Sequence, residues 1–411
     1  MATTSTPTTL ASRLKERYKD GISNLIPTST VLLRKFKFKE DLAPGEKARF
    51  DIQLDHEQGF SVGQGEITLN PAVAQNTAKV EVEGYSVILR SRVSYDLITR
   101  AKTTKQAFAT FHDKKFIPMT ESYQKRCEIL AKGYGRQGLG VVSANSSGVL
   151  TITPGSWNAP LWLGMKGAVL EAFTSTATGA TQHNGDLTVS AINVANKTVT
   201  VTGTSSAVVA NDILFLKDCH VDSGSAPYGL MDIAKNNATL YNINASTEAL
   251  WKSNTYNVGT SALTLGKILE AAGYSADMGC DEKLTCTVPV KAFQGLVADE
   301  SALRSYDAKY SKAKAENGFE AISFYGATGE IEVIPYMFEK EGEFVMFPER
   351  YMSKIGSSDM TNQLAKDGDI VFDLENTSAK EMRLFSEWTV FCERPAWITW
   401  GNRSDGLALH T

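Results

Sequence analysis

The sequence predicts an α+β fold, and three patterns in it carry that prediction. Residues 48–54 and 78–90 alternate polar and apolar side chains with period two, as half-buried strands do. Met119, Tyr123, Cys127, Leu130 and Tyr134 recur at helical spacing. Residues 147–220 are rich in Thr, Val, Ala, Asn and Gly, with short apolar runs between Asn/Gly turns, the pattern of a small β-rich insertion. The chain has 411 residues, enough for two or three domains of about 150 residues each. Hydrophobic residues make up 42% and charged residues 21%, so a sizeable core is expected and wholesale disorder is excluded.

Residues 1–39 read as an arm. Its first part is polar and Thr-rich, then basic through Arg13, Lys15, Arg17 and Lys19. From Arg34 onward, Phe36 and Phe38 alternate with Lys35, Lys37 and Lys39, which reads as a strand with one solvated face. Residues 40–94 read as an extended hairpin. Phe50, Ile52 and Leu54 share one face, 66–69 adds a short strand, and Val80 and Val82 lie opposite Lys79, Glu81 and Glu83. After Gly84 the parity flips to Tyr85, Val87 and Leu89, so a bulge or bend is expected at the glycine. The Gly-rich stretch 57–65, with Phe60 inside it, is turn-like. Such a hairpin cannot bury both faces by itself, so other parts of the chain or a neighbour must cover it.

Residues 95–140 form a helical unit around the Met119–Tyr134 face. Phe108, Phe111 and Phe116 extend it upstream, Pro118 kinks it or opens a second helix, and Gly133, Gly135, Gly138 and Gly140 end it. In the 147–220 insertion, Leu187–Val189, Val199–Val201 and Ile213–Leu216 are strands. Residues 221–360 begin loop-heavy. A helix follows, with Leu265, Ile268, Leu269 and Ala272 on one face, Thr264 as N-cap and Gly273 as stop. Then come a strand at 284–288, a helix near 290–298, and a hairpin at 320–325 and 330–334 turned by 326–329. Residues 361–411, with Trp388, Phe391, Trp397 and Trp400, read as strand-rich and well packed.

Function classes are thinned by what the residues lack. Forty-two basic and 46 acidic residues give a net charge of −4, unlike a dedicated nucleic-acid reader. No run of about 18 apolar residues spans a membrane, and the amino end has no signal-peptide h-region. The sequons at Asn145, Asn196, Asn237, Asn244, Asn376 and Asn402 therefore carry no weight. Five scattered cysteines fit reduced thiols better than a disulfide framework. Gly259 to Lys267 imitates a phosphate loop, but the gap is too long and Ile268 stands where Ser/Thr would hold magnesium. Cys219-His220 and Cys280/Cys286 lack zinc spacing. Asp367, Asp369 and Asp373 fail the calcium-loop pattern. No Gly-x-Ser-x-Gly elbow occurs, and no base is placed beside a cysteine. No cofactor, metal or catalytic residue is predicted, and the chain reads as a non-enzyme.

The order of these elements resembles one family, the major capsid proteins of tailed bacteriophages, with the Hong Kong 97 fold. Met119 to Gly135 looks like its spine helix and exit. Thr264 to Gly273, continuing to Arg304–Lys309, looks like its axial domain. Gly329–Ile334 and Arg350–Met360 resemble that domain's hairpin and exit. The resemblance implies an N-terminal arm, an extended hairpin loop, a peripheral domain with the spine helix, an axial domain at 221–360 and a return to the peripheral domain at 361–411, with 147–220 as the lineage-specific insertion.

It also implies a function: self-assembly through pentamers and hexamers into an icosahedral shell around double-stranded DNA, in the virion, after assembly in the host bacterial cytoplasm. Phe50, Ile52, Leu54, Phe60, Val80 and Val82 would then make inter-subunit contacts, covering a face the chain leaves open. A portal and a separate scaffolding protein are implied, because the hairpin starts too early for a fused scaffolding segment. A decoration protein and non-specific contact with packaged DNA belong to the same picture, with no membrane. Some members of the family crosslink a hairpin lysine to a neighbour's asparagine; Lys47 and Lys79 could be donors, but no pattern selects either, and crosslinking is not carried over to this chain. Two other readings stand beside it: a tail, decoration or surface adhesin protein built of β-rich modules, and an enzyme whose site carries no sequence motif.

Overall fold

The computed structural model describes residues 29–40, 47–94, 117–183, 185–224, 226–303, 321–326, 329–362, 371–373 and 379–411. In chain order these hold α1 (Val31–Lys35), β1 (Lys37–Lys39), β2 (Ala48–Gln53), β3 (Thr77–Val82), β4 (Tyr85–Ser94) and α2 (Ile117–Lys132). Next come β5 (Gly140–Ser146), β6 (Val149–Ile152), α3 (Ala159–Trp162), β7 (Val169–Phe173), β8 (Leu187–Asn193), β9 (Thr198–Thr202), β10 (Ile213–Leu216) and α4 (Leu230–Ala234). The remainder is β11 (Asn254–Asn257), α5 (Leu265–Asp277), β12 (Leu284–Val288), α6 (Val290–Leu303), β13 (Ile322–Gly326), β14 (Gly329–Pro335), β15 (Glu343–Pro348), β16 (Met352–Asn362), β17 (Val371–Asp373), β18 (Ala379–Cys392) and β19 (Thr399–Asn402).

These elements build three larger sheets. In the first, β18 is central: β4 runs antiparallel along one edge, β16 and then β17 along the other, and β1 adds to β16 in parallel. Helix α2 lies on one face of this sheet. Its Tyr123 hydroxyl reaches Val87 O at 2.8 Å and Ser386 Oγ at 2.6 Å. The second sheet is a closed barrel, in order β10-β5-β6-β9-β8-β7, filled by residues such as Leu150, Leu170, Leu187, Val199 and Leu214. Closure removes every strand edge. The third is six-stranded, β11-β19-β15-β12-β14-β13. Helices α5 and α6 pack on it through Ile268, Ala272, Phe293 and Leu296, against Leu284, Cys286, Ile331 and Val333.

Several expectations shift. Residues 31–35 are helical rather than extended, because a buried carboxylate from α2 takes the amides of Leu32 and Leu33. No strand forms at 66–69. The hairpin read at 40–94 ends at Val82: the break at Glu83-Gly84 sends β4 into the first sheet to pair with β18, so the bend separates two sheets. The barrel begins at Gly140, before the composition shift at 147. Helix α5 has Thr264 as N-cap, its hydroxyl accepting from Lys267 N at 3.4 Å, but runs past Gly273 to Asp277. The 221–360 and 361–411 units exchange strands: β16 joins the first sheet, while β19 joins the six-stranded one. Phe108, Phe111, Phe116 and residues 1–28 lie outside the described residues.

Gly133 ends α2 in the left-handed region, at φ +101°. A Cβ there would come within 2.9 Å of Met231 N, so the helix stop and the seating of α4 demand glycine together.

Candidate subunit interface

The two-stranded hairpin β2–β3 pairs Ala48 with Val82, Phe50 with Val80 and Ile52 with Ala78. Period-two alternation puts these six side chains on one face. That face is closed by the chain itself. The Phe50 ring stacks on Phe391 at 5.4 Å, and Phe391 meets Tyr241 edge-on at 5.6 Å. Glu81 N donates to Tyr241 O at 3.1 Å. Val80 and Val82 are fully buried, Leu54 is buried, and Phe50 and Ile52 are half-buried against the same core. Val80 and Val82 therefore need no neighbour to cover them, while Phe50 and Ile52 keep part of their surface open. The covering residues come from positions 241 and 391, which local alternation does not reveal.

Beyond Leu54 the hairpin leaves the body. Phe60 is 84% exposed and Leu69 75%, and Val62, Ile67 and Val73 are exposed with them. Only Phe60 of these was singled out by its sequence setting. The tip is held by polar bonds instead of apolar packing. Gln58 and Val73 exchange backbone bonds of 2.9 and 2.8 Å, and Asn70 donates through Nδ2 to Phe60 O at 2.8 Å and through its amide to Ser61 Oγ at 2.8 Å. Apolar side chains gathered outward on one shaped tip are the feature that interaction surfaces display. Lys47, at the base, sits 2.5 Å from Glu83 and 3.5 Å from Glu81. The Glu83 hydrogen bond and charge raise its pKa, so it is held as ammonium, the form without a nucleophilic lone pair.

The body behind the hairpin is knit by one segment, residues 336–343. Tyr336 donates to Glu128 Oε1 of α2 at 3.0 Å. Lys132 Nζ, also on α2, meets Glu339 Oε2 at 2.5 Å with both side chains fully buried. Asn158, the N-cap of α3, donates to the carbonyls of Met337 and Glu339. Lys340 Nζ donates to Gly138 O at 2.9 Å. Glu341 joins Lys197 of the barrel at 3.4 Å to Lys291 of α6 at 2.8 Å. Glu343 Oε2 accepts from Lys235 Nζ and Trp400 Nε1, both at 3.1 Å. Burial works against ionisation of Glu343, but the charges of Lys235, Lys340 and Lys132 overcome it and hold its pKa at about 2. Burial pushes the Lys340 pKa down to about 8, against the pull of Glu343. These charges tie helix, barrel and six-stranded sheet together. No group of three or more potential metal ligands occurs among the described residues.

No protein-family model matches the sequence, and none of the curated proteins does. Solved structures do match. A chain of the cyanophage A-1(L) capsid asymmetric unit superposes with a TM-score of 0.52 at 10% identity, covering 97% of this chain and 99% of that one. A chain of the bacteriophage PhiM1 mature capsid gives 0.50 at 9% identity, covering 95% and 92%. The likeness covers nearly the whole of this chain, and the protein has the α+β capsid fold of those phage chains.

Proposed function

We propose that this protein is the major capsid protein of a tailed bacteriophage, self-assembling into the icosahedral shell that encloses double-stranded DNA. The observation that carries the reading is a capsid fold matched over nearly the full length of both chains, with a hairpin whose base is anchored and whose apolar tip is uncovered. The role is structural. Subunits associate as pentamers and hexamers through the six-stranded unit, and the tip lies over an adjacent subunit. A portal, a separate scaffolding protein, a decoration protein and loose contact with packaged DNA complete the picture. The place of work is the virion, after assembly in the bacterial cytoplasm. The modest negative charge suits a container that must not grip its DNA tightly. Shell expansion during packaging is then a shift between two packings of one chain.

Electron microscopy and sedimentation of the expressed protein, with and without residues 55–66, test this. Closed or tubular shells from the full chain, and a folded subunit that does not assemble from the deletion, are expected. Normal particles from the deletion would remove the role given to the tip.

A further inference from the structure

We infer that the cavity between the barrel and the start of α6 binds a medium-chain aliphatic carboxylate, held by Lys197 and Lys291. The inference stands apart from the shell reading, because it concerns a small ligand within one subunit. The cavity measures about 390 Å³, a size that small-molecule sites share. Its walls come from several units: Val194 and Lys197 of the β8–β9 turn, Pro160 of α3, Val290 and Lys291 of α6, and Met337 of the 336–343 segment. Val194 is 43% exposed and Val290 42%. Each lies close in sequence to one of the two lysines. Uncovered apolar surface and two ammonium groups therefore meet at one cavity.

Glu341 draws both lysines to this place. Its Oε1 meets Lys291 Nζ at 2.8 Å and its Oε2 meets Lys197 Nζ at 3.4 Å. An ammonium group has three protons to donate, and each lysine spends one on Glu341. Neither has another hydrogen-bond or ion-pair partner among the described residues, so donors and a net positive charge are left over. The other polar groups in the walls are already paired. Glu339 gives its carboxylate to Lys132 and Tyr134. Asn158 spends its amide on the carbonyls of Met337 and Glu339 and on the Leu161 amide. Burial lowers the pKa of His410, which faces the same three charges, so it adds no charge at neutral pH. An occupant must therefore bring an anionic head and an apolar body. A carboxylate suits the head, because the two lysines already grip one, each by a different oxygen of Glu341. Phosphate alone would leave Val194, Val290 and Met337 uncovered. An aromatic body gains little, since Trp157 in the wall is already stacked on Trp162. A bound aliphatic chain would tie the barrel turn to α6.

Titration calorimetry of the full chain with sodium decanoate, kept below its micelle concentration, tests this, and amide hydrogen exchange locates the site. Saturable binding is expected, with slowed exchange at residues 194–197 and 290–293. Lys197→Gln with Lys291→Gln is expected to weaken binding roughly tenfold or more, and Val194→Asp to weaken it as well. All three side chains are partly exposed, so folding is preserved. Decan-1-ol, the same body without the charged head, and inorganic phosphate, a head without the body, are each expected to bind far more weakly. No saturable binding, decanoate that binds the double variant as well as the wild type, or exchange slowed only elsewhere overturns the inference. Decan-1-ol binding as well as decanoate would make this a plain apolar cavity, and phosphate binding as well would make it a plain anion site; either result also overturns it. Particle formation by the same samples bears on the shell reading alone.

Discussion

Glu128 and Leu32 stand 96 residues apart in the chain and are joined by a 2.7 Å bond from the Leu32 amide to the Glu128 carboxylate. The Leu33 amide adds a second bond at 3.0 Å, and the Tyr336 hydroxyl a third at 3.0 Å. Thr30, at the N-cap of α1, makes no side-chain cap of its own, so a carboxylate from α2 caps that helix. Leu32 and Phe36 are thereby seated in the core. Burial raises the pKa of Glu128, and the three donors oppose that rise. Glu128→Ala leaves three donors unsatisfied and is expected to cost about 3 kcal/mol or more, against about 1 kcal/mol for Tyr336→Phe. Denaturant unfolding compares the two, and equal losses would sink the capping role.

Lys132 and Glu339 form a fully buried pair. Lys132→Met strands a carboxylate whose pKa burial has already pushed up to about 7, against the pull of Lys132. A loss of about 3–5 kcal/mol is expected, with a clearly smaller loss when Glu339→Gln is added. A double-mutant cycle reads the difference, and strictly additive losses would show that the two groups do not act as a pair.

Asp232 gives a pH signature. Burial lifts its pKa to about 6 from an ordinary 3.8, although Arg136, Gln137 and the Gly229 amide pull the other way. The folded state therefore holds the proton more tightly than the unfolded chain does. Its contribution to stability is full below the ordinary value and is lost as pH rises through about 6. The melting temperature of the wild type relative to Asp232→Asn is expected to fall between about pH 4 and pH 6 and to level off above. A flat difference across that window would contradict the assignment.

Base and tip of the hairpin separate stability from assembly. Val80→Ala, in the anchored base, is expected to cost about 2 kcal/mol. Phe60→Ala, at the exposed tip, is expected to change folding stability by less than about 0.5 kcal/mol while reducing particle yield. Calorimetry and sedimentation on the same samples decide it. A destabilised Phe60→Ala subunit would mean that the tip serves its own fold.

Local patterns made much of this fold legible. The Met119–Tyr134 repeat is α2, the alternation at 48–54 is β2, the Thr264 cap opens α5, and the strand at 284–288 is β12 as read. What escaped depends on partners far along the chain. The basic-aromatic alternation at 34–39 suits a strand, yet Glu128 recruits the residues before it into a helix. The Phe50 face seemed open because its cover, Tyr241 and Phe391, is non-local. The charged run Glu339, Lys340, Glu341, Glu343 has the composition of a solvated turn and is instead buried at the meeting point of three units. No periodicity marks such a segment, because each charge answers a different distant partner. At the tip, Phe60 and Val62 in a Gly-rich stretch were the available signal: apolar residues with no repeat to bury them.

The place of β19 sets when the molecule can finish folding. It lies between β11 and β15, pairing Asn254 with Thr399 and Met346 with Thr399 from either side. Until residues 399–402 have emerged from the ribosome, β11 has no strand to join and β15 shows a bare edge. Closing that gap requires contacts between parts of the chain made early and parts made late, a slow step that leaves sticky edges waiting. Translation thus acts as a timer. Six-stranded units on neighbouring nascent chains stay incomplete until residues 399–402 are made, so premature aggregation at that edge, and the demand for chaperones, should fall on the interval before that strand emerges.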